Sequence, residues 1–116
     1  MTTEIKNVQI VDTFLGGEDH GIFTFSLQLD DDGCRYSFGN YCLSYHNCKI
    51  GKDVFNPKGL EAIAKTLKVV DVSNWEELKW KYARIKIEDH KVVAIGNIIK
   101  NEWFDIQEFF KIDEEN

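Results

Sequence analysis

Thiols and imidazoles are the side chains here best able to hold a metal or attack a substrate. Three of them, Cys42, His46 and Cys48, fall within seven residues. A structural zinc site needs four ligands, usually as two closely spaced pairs. The remaining candidates, His20, His90 and Cys34, supply no second pair, so neither a metal nor another cofactor is expected. A thiol nucleophile would need Cys42 or Cys48 to meet His20 or His90 in space, where something depresses the thiol pKa. No helix N-terminus or other such setting is readable around these cysteines. Three cysteines cannot all pair within one chain, and the start Met1-Thr2-Thr3-Glu4-Ile5-Lys6 lacks a basic then apolar export pattern. Reduced thiols in the cytoplasm are therefore expected. Cys34 and Cys42 share parity within a strand-like stretch and are expected as small buried side chains.

Carboxylates and glycines offer two further candidates. The run Asp30-Asp31-Asp32-Gly33 begins like a calcium loop but lacks the later glutamate at the required spacing. It reads as a hairpin turn, since Asp-Gly supplies the positive φ that such turns need. Gly16-Gly17 and Gly21 make no phosphate loop, because no Gly-Lys-Ser/Thr follows. Glu18, Asp19 and His20 on that glycine-rich turn instead suggest a binding tip. Tyr36, Phe38, Tyr41 and Tyr45 crowd around Gly39-Asn40, and Trp75, Trp80, Trp103 and Phe104 fall near element ends. Aromatics in such places serve interfaces or the core, and Trp80 and Trp103, beside charged neighbours, suit either. A ligand site is also readable: Arg35 or Arg84 for a phosphate, with Tyr36, Phe38, Asn40 and Tyr41 around a base.

The elements that must position these residues follow from hydrophobic periodicity. A strand is expected over Glu4–Leu15, ending in a turn or loop at residues 16–21. Phe23, Phe25, Leu27 and Leu29 alternate with Thr24, Ser26 and Gln28 in a second, half-buried strand. A third runs from Cys34 to Leu43, broken at Gly39 by a bulge or a close backbone approach. Residues 44–53 read as a polar loop. Asn56-Pro57 opens an amphipathic helix with Leu60, Ile63, Ala64 and Leu67 on its apolar face. Ser73-Asn74-Trp75-Glu76 caps a single turn bearing Trp75 and Leu78. Two more strands, Tyr82–Glu88 and Val92–Ile99, flank the turn Asp89-His90-Lys91, and Asp105 caps a last short helix with Phe109 and Phe110. The order βββ-α-ββ-α predicts one α+β domain over residues 1–112. Its antiparallel sheet would have about five strands, with one main helix on one face, and residues 113–116 would form an acidic tail.

Fourteen basic against twenty acidic residues give a net charge of −6. Phosphate backbones repel such a surface, which disfavours direct nucleic-acid binding. No apolar run reaches the roughly 18 to 20 residues a membrane span requires.

Three segments resemble parts of small accessory proteins carried by bacteriophages and prophages. They are Glu18-Asp19-His20-Gly21-Ile22, Phe38-Gly39-Asn40-Tyr41-Cys42-Leu43, and Ile95-Gly96-Asn97-Ile98-Ile99-Lys100-Asn101-Glu102-Trp103-Phe104-Asp105. Such sequences often carry a second glycine where Asn40 stands. The resemblance brings no catalytic residues to carry over. It implies a cytosolic counter-defence protein, an inhibitor (anti-CRISPR-like) that binds a host nucleic-acid-handling complex. On that reading the acidic and aromatic side chains Glu18, Asp19, His20, Asp30, Asp31, Asp32 and Trp103 make the contact. The alternatives are a sequestering protein for a cyclic or modified nucleotide, using the Arg35–Tyr41 and Arg84 set, and a small hydrolase or thiol enzyme. A homodimer is compatible with each.

Overall fold

The computed structural model describes residues 3–18 and 22–115. Among the described residues, eight strands, two helices and one isolated helical turn form a mixed, wholly antiparallel architecture, more strands than the five expected. The main sheet holds six of them: β1 (Thr3–Glu18), β2 (Ile22–Asp31), β3 (Cys34–Gly39), β6 (Tyr82–Glu88), β7 (Lys91–Gly96) and β8 (Trp103–Phe104), in the order β3-β2-β1-β6-β7-β8. The other two, β4 (Ser44–Asn47) and β5 (Lys52–Phe55), make a separate hairpin where a polar loop was expected. Their polar residues hid the alternation: His46 Nδ1 meets Asp53 Oδ1 across the hairpin at 3.0 Å, on a largely solvated surface.

The sixteen-residue β1 ties the sheet together by changing partners. Its first part, Thr3–Gln9, pairs with β6, and the remainder, from Gln9 to Glu18, pairs with β2, with a bulge between Ile10 and Asp12. Gly16 and Gly17 therefore lie in strand, opposite Thr24 and Phe23, and not in the expected turn. At the far end of β2 the chain reverses through Asp32 (φ +46°) and Gly33 (φ +103°), as Asp-Gly predicted. The β6–β7 hairpin turns at Asp89 and His90, both with positive φ.

One face of the curled sheet carries the core. Phe25, Leu27 and Leu29 from β2, Ile10 from β1, Ile85 from β6 and Ile95 from β7 are all fully buried. The sheet closes on itself far enough that Phe38 of β3 meets Phe104 of β8 edge-on, ring centroids 6.3 Å apart. Each such side chain contributes about 1.5–3 kcal/mol by leaving water. Helix α1 (Gly59–Val70) and helix α2 (Ile106–Glu115) cover this face, so the acidic C-terminal residues expected as a tail are helical through Glu115.

The buried face of α1 is rotated from the expected one. Gly59, Ala62, Thr66, Val69 and Val70 are buried, whereas Leu60 and Ala64 face solvent. Small side chains let the helix sit close to the sheet: Gly59 packs against the Leu43 side chain, and the buried Thr66 hydroxyl donates to the Ala62 carbonyl at 2.9 Å. The helix also starts later than Asn56-Pro57. Asn56 Oδ1 accepts from the Lys58 amide at 2.9 Å, making a turn that leads into Gly59. The helical turn at Trp75–Glu77 is capped by Asn74, whose side chain accepts from the Glu77 amide, while Glu77 Oε1 reaches back to the Ser73 amide. Asp105 Oδ1 accepts from the Glu108 amide at 2.9 Å, the expected cap of α2. None of the described helices is long and apolar enough to cross a membrane.

Candidate functional site

The β1–β2 pairing ends at Gln9, beyond which the first part of β1 runs on beside β6 alone and leaves a fork. Gln9 stands at its apex, paired with both Asp30 and Tyr82. The resulting notch of about 250 Å³ is lined by Asn7, Gln9, Tyr82 and the three carboxylates Asp30, Asp31 and Asp32. Two of these acids are already paired. Asp30 Oδ1 lies 3.3 Å from Arg35 Nε, and Asp31 Oδ2 accepts from Lys6 Nζ at 3.2 Å. Among the described residues Asp32 has no basic partner, so the negative charge the notch offers a visitor is concentrated at its tip.

Lys6 belongs to this cluster in a second way. Its hydrogen bond to Asp31, and next that to Tyr36, raise its pKa above the ordinary 10.5. A raised folded-state pKa adds stability that is fully present below the unfolded value and is lost as pH rises through the folded one. Denaturant unfolding at stepped pH should therefore show wild type losing stability above pH 10.5 more steeply than Lys6→Met. Identical alkaline slopes would remove Lys6 from the cluster's energetics.

Beside the notch stand two exposed aromatics. Tyr82 and Trp80 are each 59% exposed. Trp80 sits at φ +75°, in the left-handed region. Its amide donates to the Ile10 carbonyl at 2.6 Å and its carbonyl accepts from Gln9 Nε2 at 3.2 Å, so the backbone is pinned to β1 beside the apex. Lys79 Nζ lies 5.2 Å from the centre of the indole and 3.9 Å from Asp12 Oδ1. Sequence reading left Trp80 open between interface and core, and it missed Tyr82; no periodicity marks a residue whose value comes from a neighbouring strand's departure.

The other predicted residues are dispersed. Glu18 ends β1, its side chain outside the described residues, as are Asp19 and His20. The Glu18 backbone pairs with Ile22, at the opposite end of β2 from Asp31, about 30 Å away for a ten-residue strand. Trp103 lies on the far edge strand, its ring packed over Gly96, with Lys86 Nζ 4.4 Å and the Arg84 guanidinium 4.9 Å from its centre. It borders a separate cleft of about 350 Å³ with Lys65, Lys68 and Glu102.

The proposed nucleotide set does not assemble into one platform. Phe38 is fully buried core, which corrects its expected role against a base. Tyr41 stacks on Phe110 at 4.6 Å. Asn40, at φ +67°, gives its side-chain amide to Ser37. Tyr36 packs against the core while its neighbour Arg35 is exposed. Arg84 is used structurally: Nε donates to the Asn97 carbonyl at 2.7 Å and one terminal nitrogen to the Lys100 carbonyl at 2.8 Å. β2 and β1 separate Arg35 from Arg84, roughly 14 Å at ordinary strand spacing.

Cys34, Cys42 and Cys48 are all exposed free thiols, which corrects the expectation of buried side chains for Cys34 and Cys42. Cys34 begins an edge strand beside the Asp32-Gly33 turn and Cys42 follows the break at Gly39-Asn40, so neither keeps the parity of a continuous buried strand. Among the described residues no group of three His, Cys, Asp or Glu side chains could hold a metal ion. Neither a family model, nor a curated protein, nor a solved structure matches this chain.

Proposed function

We propose that this chain is a non-catalytic counter-defence protein of phage type, working in the host cytosol by binding and inhibiting a component of a nucleic-acid-handling defence complex. The contact surface in this reading is the fork: Asp32 at its tip, Asp30 and Asp31 behind it, and Tyr82 and Trp80 along its side. A basic protein surface, of the kind that holds a nucleic acid, is the chemistry such a surface fits. The resemblance to phage-borne segments supplies the biological context, and the acidic balance of the whole chain favours approach to a basic partner.

One observation carries the reading. Trp80 lies in the turn closed by the Lys81 amide on the Leu78 carbonyl, just after the helical turn Trp75–Glu77, at a position where glycine is ordinary, in a conformation that costs an L-residue about 1–2 kcal/mol. An exposed indole held there is not explained by burial, whereas tryptophan is the residue most enriched among those that dominate interface energies.

Trp80→Gly separates the two roles. Relief of the left-handed strain offsets the greater freedom that glycine gives the unfolded chain, so stability should stay within about 1 kcal/mol of wild type. Affinity for the host complex should fall at least about tenfold, as for an interface anchor. The complex would first be captured from host cytosol on the tagged chain, then purified and titrated by calorimetry at several salt concentrations. Asp32→Lys should weaken the same interaction most at low salt. Unchanged affinity in both variants would sink the reading.

A further inference from the structure

Beyond Gln9 the fork offers backbone as well as side chains. β2 ends at Asp31, so Thr3–Val8 of β1 keep β6 on one side and have no strand on the other. Among the described residues no backbone hydrogen bond reaches them from that open side. The direction of their backbone groups follows from Ile10. Its amide donates to the Lys81 carbonyl at 2.8 Å and its carbonyl accepts from the Trp80 amide at 2.6 Å, both toward the β6 side. Hydrogen-bonding direction alternates along a strand, and the β1–β6 register runs unbroken from Thr3 to Gln9. Glu4, Lys6 and Val8 therefore bond to β6, while Thr3, Ile5 and Asn7 each turn an amide and a carbonyl to the open side. All three are exposed, Ile5 to 55%. The result is an unpaired edge about 20 Å long, a template for one more strand.

We propose that this edge takes an extended basic segment of the partner protein, added to β1 along the line that β2 leaves at Asp31. The proposal rests on the reading of the fork as the contact surface and names what the fork receives. The backbone selects an extended chain, because only a strand meets three alternate amide and carbonyl pairs at once. Charge selects its composition. An antiparallel segment, the more stable pairing, begins beside the Asp31-Asp32 end and finishes beside Thr3. Its first residues meet Asp30, Asp31 and Asp32, which among the described residues have two basic neighbours, Arg35 and Lys6. Its later ones pass Ile5 and the exposed Glu4. Lysine or arginine at the start and an apolar residue opposite Ile5 match those surroundings. A second copy of the chain fits worse. Two-fold pairing centred on Ile5 drives the chain before Thr3 of each copy against Asp31 of the other, and pairing centred on Glu4 sets two glutamates face to face.

Amide exchange of the full chain, resolved residue by residue, tests this. In the free chain the Ile5 and Asn7 amides should exchange fast and those of Lys6 and Val8 slowly. Protection of all four would overturn the free edge. The probe is the blocked hexapeptide Lys-Lys-Thr-Val-Thr-Val. At millimolar concentration it should protect Ile5 and Asn7, and at low salt it should bind at least about tenfold tighter than its counterpart with glutamate for both lysines. No protection, or no preference for the lysine peptide, overturns the proposal; both readouts use wild type and need no variant to fold. Ile5→Pro removes an amide that β6 does not use, a change tolerated at a strand edge. Its circular dichroism spectrum should be kept, and its affinity for the captured host complex should fall at least about tenfold. Full host affinity in a folded Ile5→Pro chain, with Trp80→Gly and Asp32→Lys both weakened, overturns the edge and leaves the fork reading standing. Full host affinity in all three variants, with Ile5 and Asn7 still protected by the lysine peptide, keeps the edge as a basic-peptide site and removes the fork reading instead.

Discussion

Gly39→Ala is expected to destabilise the domain by about 3–4 kcal/mol. Gly39 is at φ +102°, and a Cβ there would stand 2.6 Å from the Phe25 carbonyl oxygen and 3.3 Å from the Ser26 Cα. Both obstacles are backbone of the adjacent strand, which cannot swing aside as a side chain can. That strand moreover carries Phe25 and Leu27 into the core, and the Asn40 amide donates to the same Phe25 oxygen at 2.8 Å. The methyl group thus opposes backbone conformation, packing and a hydrogen bond together. For a chain of this size the loss corresponds to a melting temperature lower by roughly 15 °C, measurable by calorimetry or thermal circular dichroism. Asn40→Gly is the control: at φ +67° glycine fits without strain, so stability should change by less than about 1 kcal/mol. A Gly39→Ala chain within 1 kcal/mol of wild type would show that β2 yields at this point.

The break at Gly39 was legible in the sequence because a glycine interrupting an apolar strand has few explanations. The same holds for the Asp32-Gly33 reversal, for the alternating strands β2 and β6, and for the Asp105 cap, each fixed by chemistry within a few residues. What was not legible depends on partners distant in the chain. Gly16 and Gly17 look like a turn, yet pairing with Phe23 and Thr24 holds them in β1. Residues 44–53 have no apolar alternation, because the β4–β5 hairpin shows much of its surface to water. The apolar face of α1 was assigned by spacing, and Ile63 and Leu67 do pack against the core, but close approach to the sheet centred the buried face on the small residues Gly59, Ala62 and Thr66.

The candidate site divides in the same way. Asp30, Asp31 and Asp32 were readable as an acidic turn, and they line the notch together. Their aromatic companions were not, because the fork exists only where the β2 pairing ends at Gln9 while β6 continues on the other side of β1, a register that no local pattern encodes. Grouping Asp32 with Glu18 failed for a geometric reason: the two ends of one strand resemble each other in composition and lie as far apart as the strand is long.

Asn97→Ala should cost about 3 kcal/mol, although Asn97 lies just outside the strand β7 and carries no charge. Its side chain is buried and makes three hydrogen bonds: Nδ2 donates to the Val69 carbonyl at the end of α1 at 3.0 Å, and Oδ1 accepts from the Ile99 and Lys100 amides at 2.9 and 2.8 Å. Truncation strands one carbonyl and two amides, each lost bond worth about 1 kcal/mol. Asn97→Asp distinguishes the roles: it keeps both acceptor contacts but sets a carboxylate against the Val69 carbonyl, so it should be at least as damaging as alanine. Denaturant unfolding measures both, and amide exchange at Ile99 and Lys100 should accelerate in the alanine chain alone. Arg84 grips the same loop through the Asn97 and Lys100 carbonyls. The double variant with Arg84→Met should therefore lose less than the sum of the single losses. Strict additivity would mean that the two side chains hold the loop independently.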